Sequence, residues 1–278
     1  MLTHDSHKPV PNALDIPYTT AAEAYTLLQV ELERFLTLLE KLEADDWNKP
    51  TACTAWTVRD MLAHQAGGYA SGSGYWELIR QYSARPQNGQ LPEDAINALQ
   101  IRERQDKSPD EIIAELRQVG PPAIHNWAYR FSLAKQLTRL IKVSHPVSGT
   151  ISFEYLMWVI HSRDTWMHRL DICRATNHHF EQSAEHDGRI AALVMLDVAK
   201  SFTPRVNNQA LIIELTGVAG GTWKAGAGQA IATIRMDVLD FNIFASGRFT
   251  FDQALARMET AGDVAAAQTA LKDLLILY

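Results

Sequence analysis

The chain has 278 residues, 46% of them hydrophobic and 21% charged, with a formal net charge of -6. That is enough apolar material for one large domain or two smaller ones. The mild acidity and the lack of any Lys/Arg run exclude the basic footprint that phosphate backbones require, so no nucleic-acid partner is expected. No run of about 18 uninterrupted apolar residues occurs, so no membrane span is expected. The first residues also lack the basic start and apolar core of a secretory signal. Two cysteines, Cys53 and Cys173, are too few for a disulfide framework, although a single bridge between them is conceivable. A reduced, cytoplasmic protein is the expectation.

Residues 1–19 read as an irregular arm. Thr20-Ala21-Ala22-Glu23 is a capping-box pattern, and Leu28, Leu32, Phe35, Leu39 and Leu42 follow it at helical spacing. A loop through Cys53 and Trp56 leads to a second cap, Thr57-Val58-Arg59-Asp60, which opens a helix carrying His64. Four glycines, Gly67, Gly68, Gly72 and Gly74, then cost that helix roughly 1 kcal/mol each against Ala. They point to close packing against the backbone, by a neighbouring helix ahead of a ligand. Residues 85–107 read as a loop containing a weak helix. Ser108-Pro109-Asp110-Glu111 is a strong helix start, and Pro121-Pro122 is expected to break that helix. A new helix, with Ile124, Trp127, Phe131, Ala134, Leu137 and Ile141 on one face, is expected to run to Lys142, and His145–Gly149 to form a turn.

A helix over about 151–176 follows, ending at Asn177 as a left-handed cap. A further helix over about 185–202 and a linker at Thr203–Asn208 close the helical part. His178, His179 and His186 have no regular spacing and read as solvated. The composition then shifts to strands at 210–215, 222–225 and 231–236, followed by helices at about 238–245, 250–258 and 263–277. The expected fold is mainly α: a helical bundle over 20–203 followed by a small α+β domain over 208–278.

The chemistry concentrates on the helix over 151–176. Its apolar stripe, Phe153, Leu156, Met157 and Ile160, gives way on the same side to His161, Asp164 and His168. Polar groups on a buried face are costly unless paired. Asp164 and His168 stand roughly 6 Å apart on one face and supply a carboxylate and an imidazole, two ligands for a divalent ion. His64 is the candidate third ligand. Two blander readings stand beside this one. A lone helical histidine is more often a satisfied core or surface residue, and an Asp/His pair at i, i+4 is commonly an ordinary helix pair worth about 0.2–0.5 kcal/mol. His161, at i, i+3 from Asp164, opens an alternative set of His64, His161 and Asp164. His161 and His168 on one ion are disfavoured by the two turns, about 10.5 Å, between them. Asp171 fits a partner for a ligating imidazole's second nitrogen. Arg163, Arg169 and Arg59 read as structural, Trp56, Trp158 and Trp166 as core, and Cys53 as a buried, inert thiol.

Two strings carry a family resemblance. Pro50-Thr51-Ala52-Cys53-Thr54-Ala55-Trp56-Thr57-Val58-Arg59-Asp60, continuing to His64, is similar to the N-terminal signature of the mycothiol-dependent maleylpyruvate isomerase family, within the DinB-like superfamily of metal-binding four-helix bundles. Asp164-x-x-x-His168-x-x-Asp171 resembles its second signature. Phe241–Arg248 and Ala261-Gly262-Asp263 resemble, more weakly, the sterol carrier protein-like domain such enzymes carry. The resemblance implies zinc or another divalent ion held by His64, Asp164 and His168. It also implies a low-molecular-mass thiol such as mycothiol that adds to an unsaturated dicarboxylic acid, allows rotation and leaves. Arg248 is the candidate cation for the dicarboxylate. The chain departs from the family in having Asp164 where the family has Glu. Zinc–oxygen distances are held at about 2.0–2.2 Å, so the shorter side chain requires its helix to sit closer.

The expected function is therefore a thiol-dependent isomerase or transferase acting on a small electrophile. The alternative is a non-catalytic metal-binding or small-ligand-binding protein of the same superfamily, and a third reading is a bundle whose motif residues hold no metal. The sequence does not fix an oligomeric state.

Overall fold

The computed structural model describes residues 9–53, 55–87, 89–130, 142–145, 149–202 and 209–278. The chain divides into two compact units, 19–181 with Tyr278, and 1–18 with 182–277.

The first unit is the helical bundle. Helix α1 (Ala21–Leu39) is capped by the Thr20 hydroxyl, which accepts from the Glu23 amide. Helix α2 (Val58–Ser71) starts in a complete capping box, in which Thr57 serves the Asp60 amide and Asp60 serves the Thr57 amide. A short helix, α3 (Tyr75–Tyr82), follows, and α4 (Pro92–Arg102) is the helix expected inside the 85–107 loop. Helix α5 (Pro109–His125) has the capping box expected at Ser108, but it runs through Pro121-Pro122 rather than stopping there. Ile112, Leu116, Ala123 and Ile124 are buried on both sides of the prolines. Their packing outweighs the cost of an interior proline, about 3 kcal/mol. The helix then widens into a π turn, Asn126–Arg130. Beyond Arg130 the helix expected to reach Lys142 lies outside the described residues, until strand β1 (Lys142–His145) pairs antiparallel with β2 (Gly149–Ser152).

Strand β2 occupies the start of the region expected to be one helix. A single helical turn, Phe153–Tyr155, and a second π turn, Leu156–Ile160, then lead into α6 (His161–Thr176). The two π turns are joined: the Trp158 indole N–H donates to the Trp127 carbonyl at 3.0 Å. Such turns occur frequently at functional sites. Asn177 ends α6 in the left-handed conformation, with φ 60°. Helices α1, α2, α5 and α6 pack as the bundle, α2 against α5 and α6, and α1 against α5 and α6.

Of the four glycines, Gly67 in α2 and Gly72 at its C-cap are close-packing positions, whereas Gly68 and Gly74 have open space beside them. A side chain at Gly67 would bring its Cβ to 2.5 Å from Gln100 of α4, and one at Gly72 would meet Trp127 and Ala123. Across the bundle, Arg169 of α6 donates to both oxygens of Glu31 of α1, at 3.0 and 3.1 Å. Both residues are buried, and the guanidinium lies over the Phe180 ring.

In the second unit, helix α7 (His186–Phe202) packs on strand β4 (Gly221–Gly226) and so belongs with the sheet, where the sequence had grouped it with the bundle. Strands β3 (Gln209–Thr216), β5 (Gln229–Asp237) and β6 (Glu259–Gly262) complete a sheet of order β4-β3-β5-β6, with β3 and β5 parallel and the outer pairs antiparallel. Part of the expected irregular arm is ordered against it: the Lys224 amide donates to the Pro11 carbonyl at the β4 edge. Helices α8 (Val238–Ala245), α9 (Phe251–Leu255) and α10 (Val264–Leu271) follow. The expected 203–208 linker lies outside the described residues. The fold is thus mainly α, with a small C-terminal α+β unit.

Candidate metal centre

Helices α2 and α6 bring His64, Asp164 and His168 together, each offering one ligand atom, all within 4.8 Å of one another. His64 Nε2 is 3.4 Å from Asp164 Oδ2, and His168 Nε2 is 3.2 Å from Asp164 Oδ1. One carboxylate therefore faces two imidazoles, an oxygen to each. The aspartate, though one methylene shorter than the family's Glu, lies within 3.4 Å of both imidazoles. Gln65, adjacent to His64 on α2, fixes the carboxylate by donating to Asp164 Oδ2 at 2.6 Å and accepting from the Thr165 hydroxyl at 2.9 Å.

The other ring nitrogens are engaged. His64 Nδ1 meets Gln100 Oε1 at 2.8 Å, and His168 Nδ1 meets Asp171 Oδ2 at 3.3 Å. This is the arrangement in which a ligating histidine is oriented through its second nitrogen. Cys53 approaches from the 49–57 loop, its thiol 4.0 Å from Asp171 Oδ2. Cys53, His168 and Asp171 form a second convergent group on the far nitrogen of the same imidazole. Neither cysteine is in a disulfide.

Asp164 and His168 stabilise each other's charged forms. Burial alone would raise the Asp164 carboxyl, but the charges and hydrogen bonds of His168 and His64 outweigh it and hold it well below the usual carboxylate range. Burial would likewise depress His168. Asp164, with help from Asp171 and Cys53, instead holds that imidazole well above its ordinary value. A carboxylate kept ionised between two imidazoles is a donor set suited to a borderline-soft divalent ion such as zinc.

His161 is not part of this cluster. Its ring is stacked on Trp127, with centroids 4.1 Å apart and planes at 6°, and its Nε2 is buried with no hydrogen-bond partner. Burial, with the nearby His64, pushes it down to about 4, so it is neutral at physiological pH. Arg248 lies half-buried in the C-terminal unit, just after α8. Arg169 is the inter-helix ion pair described above, and Arg59 donates to the carbonyls of Arg104, Gln105 and Lys107, a structural role. Arg163 is buried and donates to the Tyr155 hydroxyl.

Trp56 differs from its expected place in the core. It is half-buried, and its ring packs against both imidazoles, 4.9 Å from His64 and 5.7 Å from His168, forming a wall of the centre. Its place directly before the cap at Thr57 was the available signal. Gln65 could have been suspected as the neighbour of His64. Gln100 carried no signal, because its helix is only weakly amphipathic in sequence.

Two solved structures share this fold. The crystal structure of the mycothiol-dependent maleylpyruvate isomerase matches with a TM-score of 0.56 and 15% identity, covering 91% of this chain and 97% of that one. The structure of a histidine-to-alanine mutant of a mycothiol-dependent maleylpyruvate isomerase matches with the same TM-score and coverage at 14% identity. No curated protein matches. Residues 28–173, just over half the chain and all three converging residues among them, match the family described as the mycothiol maleylpyruvate isomerase N-terminal domain. With that match spanning both α2 and α6, the chain belongs to the mycothiol maleylpyruvate isomerase family.

Proposed function

We propose that this chain is a metal-dependent enzyme that uses a small thiol of the mycothiol type to isomerise, or transfer the thiol to, a small electrophile such as an unsaturated dicarboxylic acid. The observation that carries this reading is the convergence of His64 Nε2, Asp164 and His168 Nε2 within 4.8 Å, with both Nδ1 atoms already engaged. The donor set fits zinc, and three protein ligands leave a position open, as in catalytic rather than structural sites. A divalent ion held there would favour the thiolate over the thiol at neutral pH.

The chain's own residues supply the rest. Gln65 and Thr165 hold the Asp164 carboxylate in register, and Asp171 orients His168. Trp56 covers the imidazoles on one side. Arg248 is proposed to bind a substrate carboxylate. Membership of the family supports the thiol and the isomerase class. Zinc, the dicarboxylate and a cytoplasmic setting are parts of the proposal. No helix among the described residues is long and apolar enough to cross a membrane.

The test is metal content by plasma mass spectrometry on untagged wild type, Asp164→Ala, His168→Ala and His161→Ala, followed by thiol-dependent turnover of an unsaturated dicarboxylic acid. About one divalent ion per chain, lost in the first two variants and kept in the third, with turnover that needs both metal and thiol, is the expected result. Metal without acceleration over free thiol would leave a metal-binding protein, and no metal after reconstitution would overturn the reading.

A further inference from the structure

Beyond the ligands, a buried line of side-chain amides leads from His64 to the surface. His64 Nδ1 meets Gln100 Oε1 at 2.8 Å. Gln100 Nε2 donates to Gln81 Oε1 at 2.8 Å. Gln81 Nε2 donates to the Gly67 carbonyl at 3.0 Å and to Glu77 Oε1 at 2.8 Å. Gln81 and Gln100 are 0% and 4% exposed, so water does not compete for these bonds. At the outer end Arg80 clamps Glu77 and Glu103.

The direction of the line is fixed by chemistry. A backbone carbonyl and an ionised carboxylate can only accept. Gln81 must therefore turn its NH2 toward Gly67 and Glu77 and its oxygen toward Gln100. Gln100 must then donate to that oxygen and turn its own oxygen to His64. An amide oxygen only accepts, so the proton of His64 sits on Nδ1. Its Nε2 is left facing Asp164 Oδ2 at 3.4 Å, where an ion would lie.

We infer that Gln100 and Gln81 are positioning residues that hold His64 as the Nδ1–H tautomer with its Nε2 presented as a ligand. Both come from α3 and α4, elements that contribute no atom to the ligand set. The inference rests on the metal-centre reading for its purpose, but its physical content is a tautomer that exists without metal.

The experiment is long-range proton–nitrogen NMR of the imidazoles in metal-free full-length protein across a pH series, with His64→Asn to assign the signal. Wild type, Gln100→Leu and Gln81→Leu are compared, with zinc affinity measured by competition against a chromophoric chelator. The expected result is a single Nδ1–H tautomer in wild type and mixed tautomers in both variants. Zinc affinity should fall about 10–100-fold in Gln100→Leu, the range for removing such a partner. Gln81→Leu keeps the His64 contact and releases only the orientation of Gln100, so a milder loss with the same tautomer change separates positioning from packing. An Nε2–H tautomer in wild type, or an unchanged tautomer in both variants with wild-type melting, would overturn the inference. If wild type binds no zinc, the metal reading fails while the tautomer still decides the inference. If zinc binds and the tautomer is unaffected, the inference alone fails.

Discussion

Asp164 faces His64 and His168 with different oxygens of one carboxylate, Oδ2 at 3.4 Å and Oδ1 at 3.2 Å, although His64 lies 100 residues away on another helix. Both imidazoles thus face one charge. Asp164→Asn preserves shape and removes that charge. Zinc affinity is expected to fall by more than the 10–100-fold typical of an outer partner. In the metal-free variant the His168 imidazole should return toward its ordinary value, as read by NMR titration. Retained affinity would remove Asp164 from the ligand set.

Trp56 packs against His64 and His168, so its emission should report what happens between them. Adding zinc to metal-free protein is expected to change tryptophan fluorescence. Trp56→Phe should lose most of that change while still binding about one ion. A full response in the variant would assign the signal to another tryptophan.

The Arg169–Glu31 pair is buried, bidentate and bridges α1 to α6. Breaking one side strands the other charge. Glu31→Gln or Arg169→Met is expected to cost about 3–5 kcal/mol in urea unfolding. The double replacement Arg169→Met with Glu31→Leu should recover most of it, because the desolvation cost of both charges disappears together. An additive double variant would show that the pair is not coupled.

His161 gives the metal-free protein an acid limit. Its folded value is depressed to about 4, so as the pH falls below its ordinary value the unfolded chain takes up a proton that the folded chain refuses. Stability is therefore lost between about pH 6.5 and 4, on the order of 3 kcal/mol at full extent. His161→Phe, which keeps the stack on Trp127, should flatten the melting temperature over that window. His168 has the opposite sign. Its folded value is raised, so its contribution is complete below about pH 6.5 and is lost as the pH rises through the folded value. An equally steep acid slope in the His161 variant would place the titrating group elsewhere.

Local chemistry carried much of this from the sequence. The boxes at Thr57 and Ser108 start helices because their side chains satisfy orphan amides wherever the helix later packs. The 3.6-residue period alone put Asp164 and His168 on one face. What needed tertiary context was not legible. Pro121-Pro122 forecasts a break, since local geometry opposes an interior proline, yet the packing of α1 and α2 around α5 carries the helix through. Strand β2 displaces the start of the expected long helix, and the π turns at Asn126–Arg130 and Leu156–Ile160 answer to each other through Trp158, a contact 31 residues apart. Among the side chains around the centre, Trp56 and Gln100 are placed by contacts made far along the chain, and no periodicity announces them.

Gly67 has a consequence of its own. Gln100 reaches His64 only because α2 offers no methyl group in its path, where a Cβ would stand 2.5 Å from the glutamine chain. The centre is defined by a gap as much as by its ligands. Transplanting His64, Asp164 and His168 onto another bundle would carry over the donors and leave behind the vacancy that lets one of them be aimed. A graft would have to copy an absence.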